Sequence, residues 1–199
     1  MTLDETIRGV QAKLRVEVDG RPGPQTWNEI YRRVVGEPPV TVASTKTGDE
    51  RSERTIATLL SEVQPLARSL IQAAAGIGIA IKIISGTRTY DEQNALYEQG
   101  RSRPGRIVTN ARGGYSNHNF GIAFDIGVFE GARYIEESPA YKAVGALGIQ
   151  LGLEWGGNWK TIQDEPHFQL RPAWARGASE KEMLAELRRR VGERLPLFA

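Results

Sequence analysis

A break between residues 37 and 49 constrains this chain more than any other feature. Pro38 and Pro39 are followed by Ser, Thr and Gly up to Asp49. Adjacent prolines remove two backbone donors and hold the chain extended, so neither a helix nor a central strand continues through them. The 199 residues therefore divide unequally. Residues 1–36 are too few for a large core. Within them Ile7, Val10 and Leu14, then Trp27, Ile30, Tyr31 and Val34, recur at helical spacing around the turn-rich run from Val18 to Pro24. Thr26 is placed to cap the second helix. The expected division is a small helical unit at 1–36, a linker at 37–52 and a main domain at 53–199.

The main domain alternates helical and strand patterns. Ile56, Leu59, Leu60, Val63, Leu66, Leu70 and Ile71 follow helical spacing, with Pro65 either kinking one helix or opening a second. A β-branched strand covers Ile79–Ser85, and Thr89 with Glu92 predicts a capping box for a helix that Gly100 ends. Residues 101–117 read as a long loop, a length that usually marks function or mobility. A strand over Gly121–Val128 and a helix opened by Ser138-Pro139 come next. Leu153–Trp155 and Pro166–Leu170 are short strands, and Ser179 with Glu182 caps a last helix. This order predicts an α+β fold, a mainly antiparallel sheet with helices packed on it. In the last helix Met183, Leu184, Leu187 and Val191 are expected inward, and Arg188-Arg189-Arg190 on the solvated face.

Several function classes drop out. The chain has no Cys, which removes disulfides, thiolate zinc sites and cysteine nucleophiles. A formal charge of +2 gives no argument for nucleic acid. The longest apolar stretch, Ile77–Ile84, is interrupted by Gly78 and Lys82, so no stable membrane insertion is expected. The acidic start Met1-Thr2-Leu3-Asp4-Glu5 is unlike a Sec-type signal peptide, so the expected location is cytoplasmic until release.

There are two histidines, His118 and His167, each among small and polar residues. In a strand through Ile122–Gly127, Ile122, Phe124 and Ile126 share the core face, leaving Asp125 on a face lined by small residues. His118 lies at an odd offset from Asp125, so the chain must bend near Asn119–Gly121 if both are to reach one ion. His118, Asp125 and His167 match the three N or O ligands of catalytic zinc, with Asp164 or Glu165 as the general base. Strand parity favours Glu165, but the residues alone leave that choice open.

The pattern Ser116-x-His118-x-x-Gly121-x-Ala123-x-Asp125, then Glu154-Trp155-Gly156-Gly157-x-Trp159 and Asp164-x-x-His167, resembles the zinc D-alanyl-D-alanine carboxypeptidase and L-alanyl-D-glutamate endopeptidase family (peptidase M15, VanY-like), particularly its phage endolysins. The resemblance covers about residues 53–172. It implies a hedgehog/DD-peptidase-like fold and Zn2+ held by His118, Asp125 and His167. It also implies Asp164 as base, where carboxypeptidase members carry Glu, and Arg88 of Ser85-Gly86-Thr87-Arg88 as the residue that holds substrate and stabilises the oxyanion. Ser116 and Trp155 join Arg88 as expected substrate contacts, although Trp155 and Trp159 also suit core packing. Val18-Asp19-Gly20-x-x-Gly23-Pro24-x-Thr26-Trp27 is similar to part of a peptidoglycan-binding module. The function so implied is cleavage of the peptidoglycan stem peptide between L-Ala and D-Glu by a monomer released through a separate holin. A D,D-carboxypeptidase and a non-catalytic, zinc-stabilised wall-binding protein are the alternatives.

Overall fold

A computed structural model describes residues 2–21, 26, 29, 30, 33, 34 and 46–198. The chain forms two compact units, Met1–Thr41 and Val42–Ala199. Within the first, α1 (Leu3–Leu14) opens on a capping box between Thr2 and Glu5. Gln11, and not the expected Val10, faces inward. Its amide donates to Asp19 Oδ1 (2.7 Å), the Arg21 carbonyl (2.9 Å) and Thr26 Oγ1 (3.1 Å), and accepts from the Gly20 N–H (2.9 Å). One buried side chain thus organises the Asp-Gly turn. Thr26 already has helical backbone, so its hydroxyl receives Gln11 instead of capping. Pro22–Pro24, Trp27, Tyr31 and linker residues 37–45 lie outside the described residues.

In the second unit the break at Pro65 separates two helices. Asp49 caps α2 (Glu50–Ile56), and Pro65 lies in the first turn of α3 (Gln64–Gly76), where its missing N–H costs nothing. Residues 50–52, expected as linker, are therefore the first turn of α2, and Ser52 is buried with its Oγ accepting from the Ile83 N–H at 3.0 Å. The sequence continues through β1 (Ala80–Ser85), α4 (Tyr90–Glu98), a 3-10 turn at Asn117–Phe120, β2 (Ala123–Glu130), β3 (Arg133–Ile135), α5 (Ala140–Gln150), β4 (Glu154–Trp155), β5 (His167–Gln169) and α6 (Glu180–Glu193).

The strands form one antiparallel sheet in the order β1-β2-β5-β4, with β3 also paired to β2. This is the expected α+β class. Phe124, Ile126 and Val128 of β2 and Ile81 and Ile83 of β1 face a core completed by Leu70, Val144 and Phe168. A Cβ on Gly145 would come within 2.4 Å of the Trp155 ring, and one on Gly148 within 2.3 Å of Phe168. Only glycine at both positions lets α5 lie so close to β4 and β5. A second cluster seats α6, through Met183, Leu184 and Leu187, on Phe120 and Ile122.

Two expectations fail in α6. Val191 is exposed. The arginine run is also less solvated than its composition suggests: Arg188 donates to the Gly114 carbonyl at 2.8 Å, and the Arg190 guanidinium lies 4.6 Å from the Trp174 ring centre. The loop after α4 is pinned at several points. Arg101 donates to the Thr109 carbonyl (3.0 Å), Asn94 accepts from the Gly113 N–H (2.8 Å), and Asn119 accepts from the Gly114 N–H (2.8 Å).

Candidate metal centre

Three donor residues meet where β2 begins. Asp125 is the third residue of β2, with Ser85 of β1 and His167 of β5 as its neighbours across the two ladders. His118 arrives from the 3-10 turn, which Gly121 closes at φ 67°, a left-handed conformation suited to glycine. This is the bend that the odd His118–Asp125 offset requires. The turn is held by the Arg88 N–H on the His118 carbonyl (3.0 Å), the Leu60 N–H on the Gly121 carbonyl (3.0 Å) and the burial of Phe120.

His118 Nε2 lies 3.2 Å from Asp125 Oδ1 and 3.3 Å from His167 Nδ1, and these last two atoms are 3.1 Å apart. A tetrahedral zinc ion with bonds of ~2.0–2.1 Å separates its ligand atoms by ~3.3 Å, so this donor set fits zinc in both type and spacing. The outward nitrogens are also engaged. His118 Nδ1 lies 2.8 Å from the Gly86 carbonyl, and His167 Nε2 lies 3.0 Å from Gln169 Oε1. Such partners orient metal-binding imidazoles.

The electrostatics are those of a concentrated charge cluster. Burial alone raises the Asp125 carboxyl, but the adjacent His118 and His167 rings outweigh it and hold the group well below the usual carboxylate range. For His167 burial acts downward, and the hydrogen bond and charge of Asp125 turn the net shift upward.

Arg88 lies beside this group. One terminal nitrogen donates to both Asp125 Oδ2 (2.9 Å) and Ser85 Oγ (2.7 Å), and the other to Gln93 Oε1 (3.2 Å). Asp125 therefore presents one oxygen to the histidines and the other to a fixed cation. Gln93, fully buried in α4, passes its amide N–H groups to Thr109 Oγ1 and the Ala111 carbonyl, so the long loop and Arg88 share one anchor.

The two candidate bases have different surroundings. Asp164 is half-buried and lies outside the three-donor group. Burial and then the Asp125 charge raise its carboxyl, against the opposing charges of His167, His118 and Arg88. Glu165 instead approaches Lys142 Nζ at 4.0 Å. Strand parity does not apply to either residue, because β5 starts only at His167.

The expected substrate contacts fare unequally. Ser116 is partly exposed and precedes the turn, its carbonyl accepting from the Asn119 N–H at 3.0 Å. Trp155 is packed in the core, its indole donating to the Glu165 carbonyl at 2.7 Å, which corrects its placement as a cleft residue. Trp159 is the aromatic at the site, with ring centres 4.9 Å from His167 and about a third of its surface exposed. Sequence reasoning did not single out Gln93, Asn117 or Gln169. For Gln169 a signal existed, since alternation puts it on the His167 face.

Two imidazoles and a carboxylate converging on one point, with a second raised carboxylate standing apart, define a metallopeptidase-type centre. The chain belongs to the M15 peptidase family and is a metallopeptidase. Residues 109–170 match the family described as D-alanyl-D-alanine carboxypeptidase. The peptidoglycan L-alanyl-D-glutamate endopeptidase CwlK of Bacillus subtilis is 37% identical over 126 residues, 56% of this chain and 75% of that protein. The L-alanyl-D-glutamate peptidase of Listeria phage A118 is 30% identical over 123 residues, 60% of this chain but 41% of its own length. Among solved structures, the L-Ala D-Glu endopeptidase ChiX of Serratia marcescens aligns with 26% identity and a TM-score of 0.46, covering 61% of this chain and 87% of that one.

Proposed function

We propose that this chain is a zinc-dependent peptidoglycan hydrolase that cuts the stem peptide between L-Ala and D-Glu. The observation that carries the reading is the three-donor group, in which His118 Nε2, Asp125 Oδ1 and His167 Nδ1 lie 3.1–3.3 Å from one another. The two L-alanyl-D-glutamate peptidases to which the chain is similar support the choice of bond.

In this reading His118, Asp125 and His167 hold the ion. Zinc in a three-ligand site supplies Lewis acidity and brings the pKa of water down to about 7. Asp164 takes the proton from the attacking water, holds it, and delivers it to the departing amine of D-Glu. Its raised carboxyl suits a group that must both accept and return a proton. Three of the five N–H donors of Arg88 are used within the protein, and its fixed charge with the remaining donors stabilises the carbonyl oxygen as negative charge develops. One chain supplies every named group, so a monomer suffices. Release through a separate holin, as the resemblance to phage endolysins implies, belongs to the same proposal.

Mass spectrometry of peptidoglycan peptides, with zinc-loaded and chelated protein side by side, tests the reading. The expected result is chelator-sensitive release of peptides that begin at D-Glu, and a loss of ~10²–10⁴-fold in Asp164→Asn with zinc retained. Release of terminal D-Ala alone would support a carboxypeptidase, the description carried by the matched family. No cleavage by zinc-loaded protein would point to a wall-binding role.

A further inference from the structure

Behind His167 lies a closed ring of polar side chains that the catalytic reading does not use. Gln169 Oε1, 3.0 Å from His167 Nε2, also accepts from Asn117 Nδ2 at 2.5 Å. Gln169 Nε2 donates to Glu154 Oε2 at 2.6 Å, and Asn117 Nδ2 donates to Glu180 as well. Arg171 closes the ring by pairing with both Glu154 and Glu180. Gln169 is fully buried, and Asn117 nearly so.

We infer that this ring makes Gln169 a positioning residue, one that fixes the proton of His167 on Nε2 and leaves Nδ1 to bind the metal. The argument is one of polarity. An ionised carboxylate only accepts, so Glu154, held by Arg171, requires the amide nitrogen of Gln169 on its side. The oxygen of Gln169 then faces His167 and can only accept, which requires a hydrogen on Nε2. Asn117 is oriented in the same way by Glu180, and its N–H reinforces the assignment. The opposite tautomer would set the Nε2 lone pair against an oxygen lone pair and place a hydrogen among the metal donors. Asp125 pulls the other way, since its Oδ1 lies 3.1 Å from His167 Nδ1 and would itself accept a hydrogen from that atom. Without Gln169, Asp125 therefore wins and Nδ1 is blocked. His118 reaches the reverse arrangement through the Gly86 carbonyl, so the two imidazoles offer different nitrogens to one point.

The inference rests on the metal-centre reading, but its test does not depend on cleavage. The chain has two histidines, so long-range proton–nitrogen NMR correlations of the imidazoles are assignable directly. At high pH, where imidazole is neutral, the expected wild-type spectrum has His167 protonated at Nε2 with and without zinc. In Gln169→Leu the metal-free protein should move the hydrogen to Nδ1, and zinc affinity measured by chelator competition should fall ~10–100-fold, with thermal melting reporting whether the fold is kept. Arg171→Met, which touches neither histidine, should shift the tautomer in the same direction by a smaller amount. A wild-type His167 protonated at Nδ1 overturns the inference. So does a folded Gln169→Leu protein with wild-type zinc affinity. If Gln169→Leu does not fold, the wild-type and Arg171→Met spectra decide. A protein with the expected tautomer that cleaves nothing would fail the proposed function alone.

Discussion

Trp155 and Trp159 belong to one short segment and have opposite surroundings. The Trp155 ring fills the space above Gly145 and Gly157, and its indole hydrogen bonds inside the protein. Trp155→Ala should cost roughly 3–5 kcal/mol in denaturant unfolding, the usual price of a large core truncation. A Trp155→Ala protein with wild-type stability would contradict the core placement. Trp159→Ala should change stability by less than about 1 kcal/mol, because the ring is partly exposed. It should abolish the change in tryptophan fluorescence on zinc addition, since the Trp159 indole lies against His167, one of the three candidate donors. A zinc response that survives the substitution would place the reporter elsewhere. At this scale the sequence was informative wherever a residue type is chemically scarce. His118, His167 and Asp125 are legible as a group that could hold a metal because few side-chain types do so and each lies in a distinctive pattern. The two tryptophans were not distinguishable, because adjacency in sequence does not say which face of a turn looks inward.

Among the elements, the join between α2 and α3 carries a pH signature. Arg68 donates through Nε and a terminal nitrogen to Glu53, and the Thr47 N–H adds a third bond at 2.7 Å. Both side chains are largely shielded, at 12–13% exposure. The Arg68 hydrogen bonds pull the Glu53 carboxyl down from 4.5 to about 2 against the effect of burial. The folded value lies below the unfolded one, so the stabilisation is complete above about pH 4.5 and is lost as the pH falls towards 2. Glu53→Gln should therefore cost roughly 1–3 kcal/mol at neutral pH and almost nothing near pH 2, as urea unfolding at the two pH values would show. An equal cost at both would remove the ion pair as the cause. The elements themselves were read well where a cap or a period marks them: the boxes at Thr89/Glu92 and Ser179/Glu182 set the starts of α4 and α6. β3 was missed because three residues are too short for a period. The start of α2 is hidden in the sequence because its cap, Asp49, ends the same polar run as the linker. Val191 was assigned inward by periodicity, yet the apolar contact surface of α6 ends at Leu187.

At the scale of the whole molecule, all of the site described here belongs to the second unit, Val42–Ala199. Removal of residues 1–41 should leave the rate on soluble stem peptides within about twofold and reduce retention on intact sacculi, measured by pelleting. Loss of soluble-substrate activity in a folded truncation would show that the first unit contributes to catalysis, and unchanged pelleting would remove it as a wall-binding module. Among the described residues no helix is long and apolar enough to cross a membrane. The convergence of both histidines on one point gives the molecule a built-in reporter. Imidazole C2 hydrogens exchange slowly with deuterium, and in this chain that label can enter at only two places, His118 and His167. A digest followed for days would yield the opening frequency of the centre from a pair of peptide masses, without a tag, a dye or a substrate.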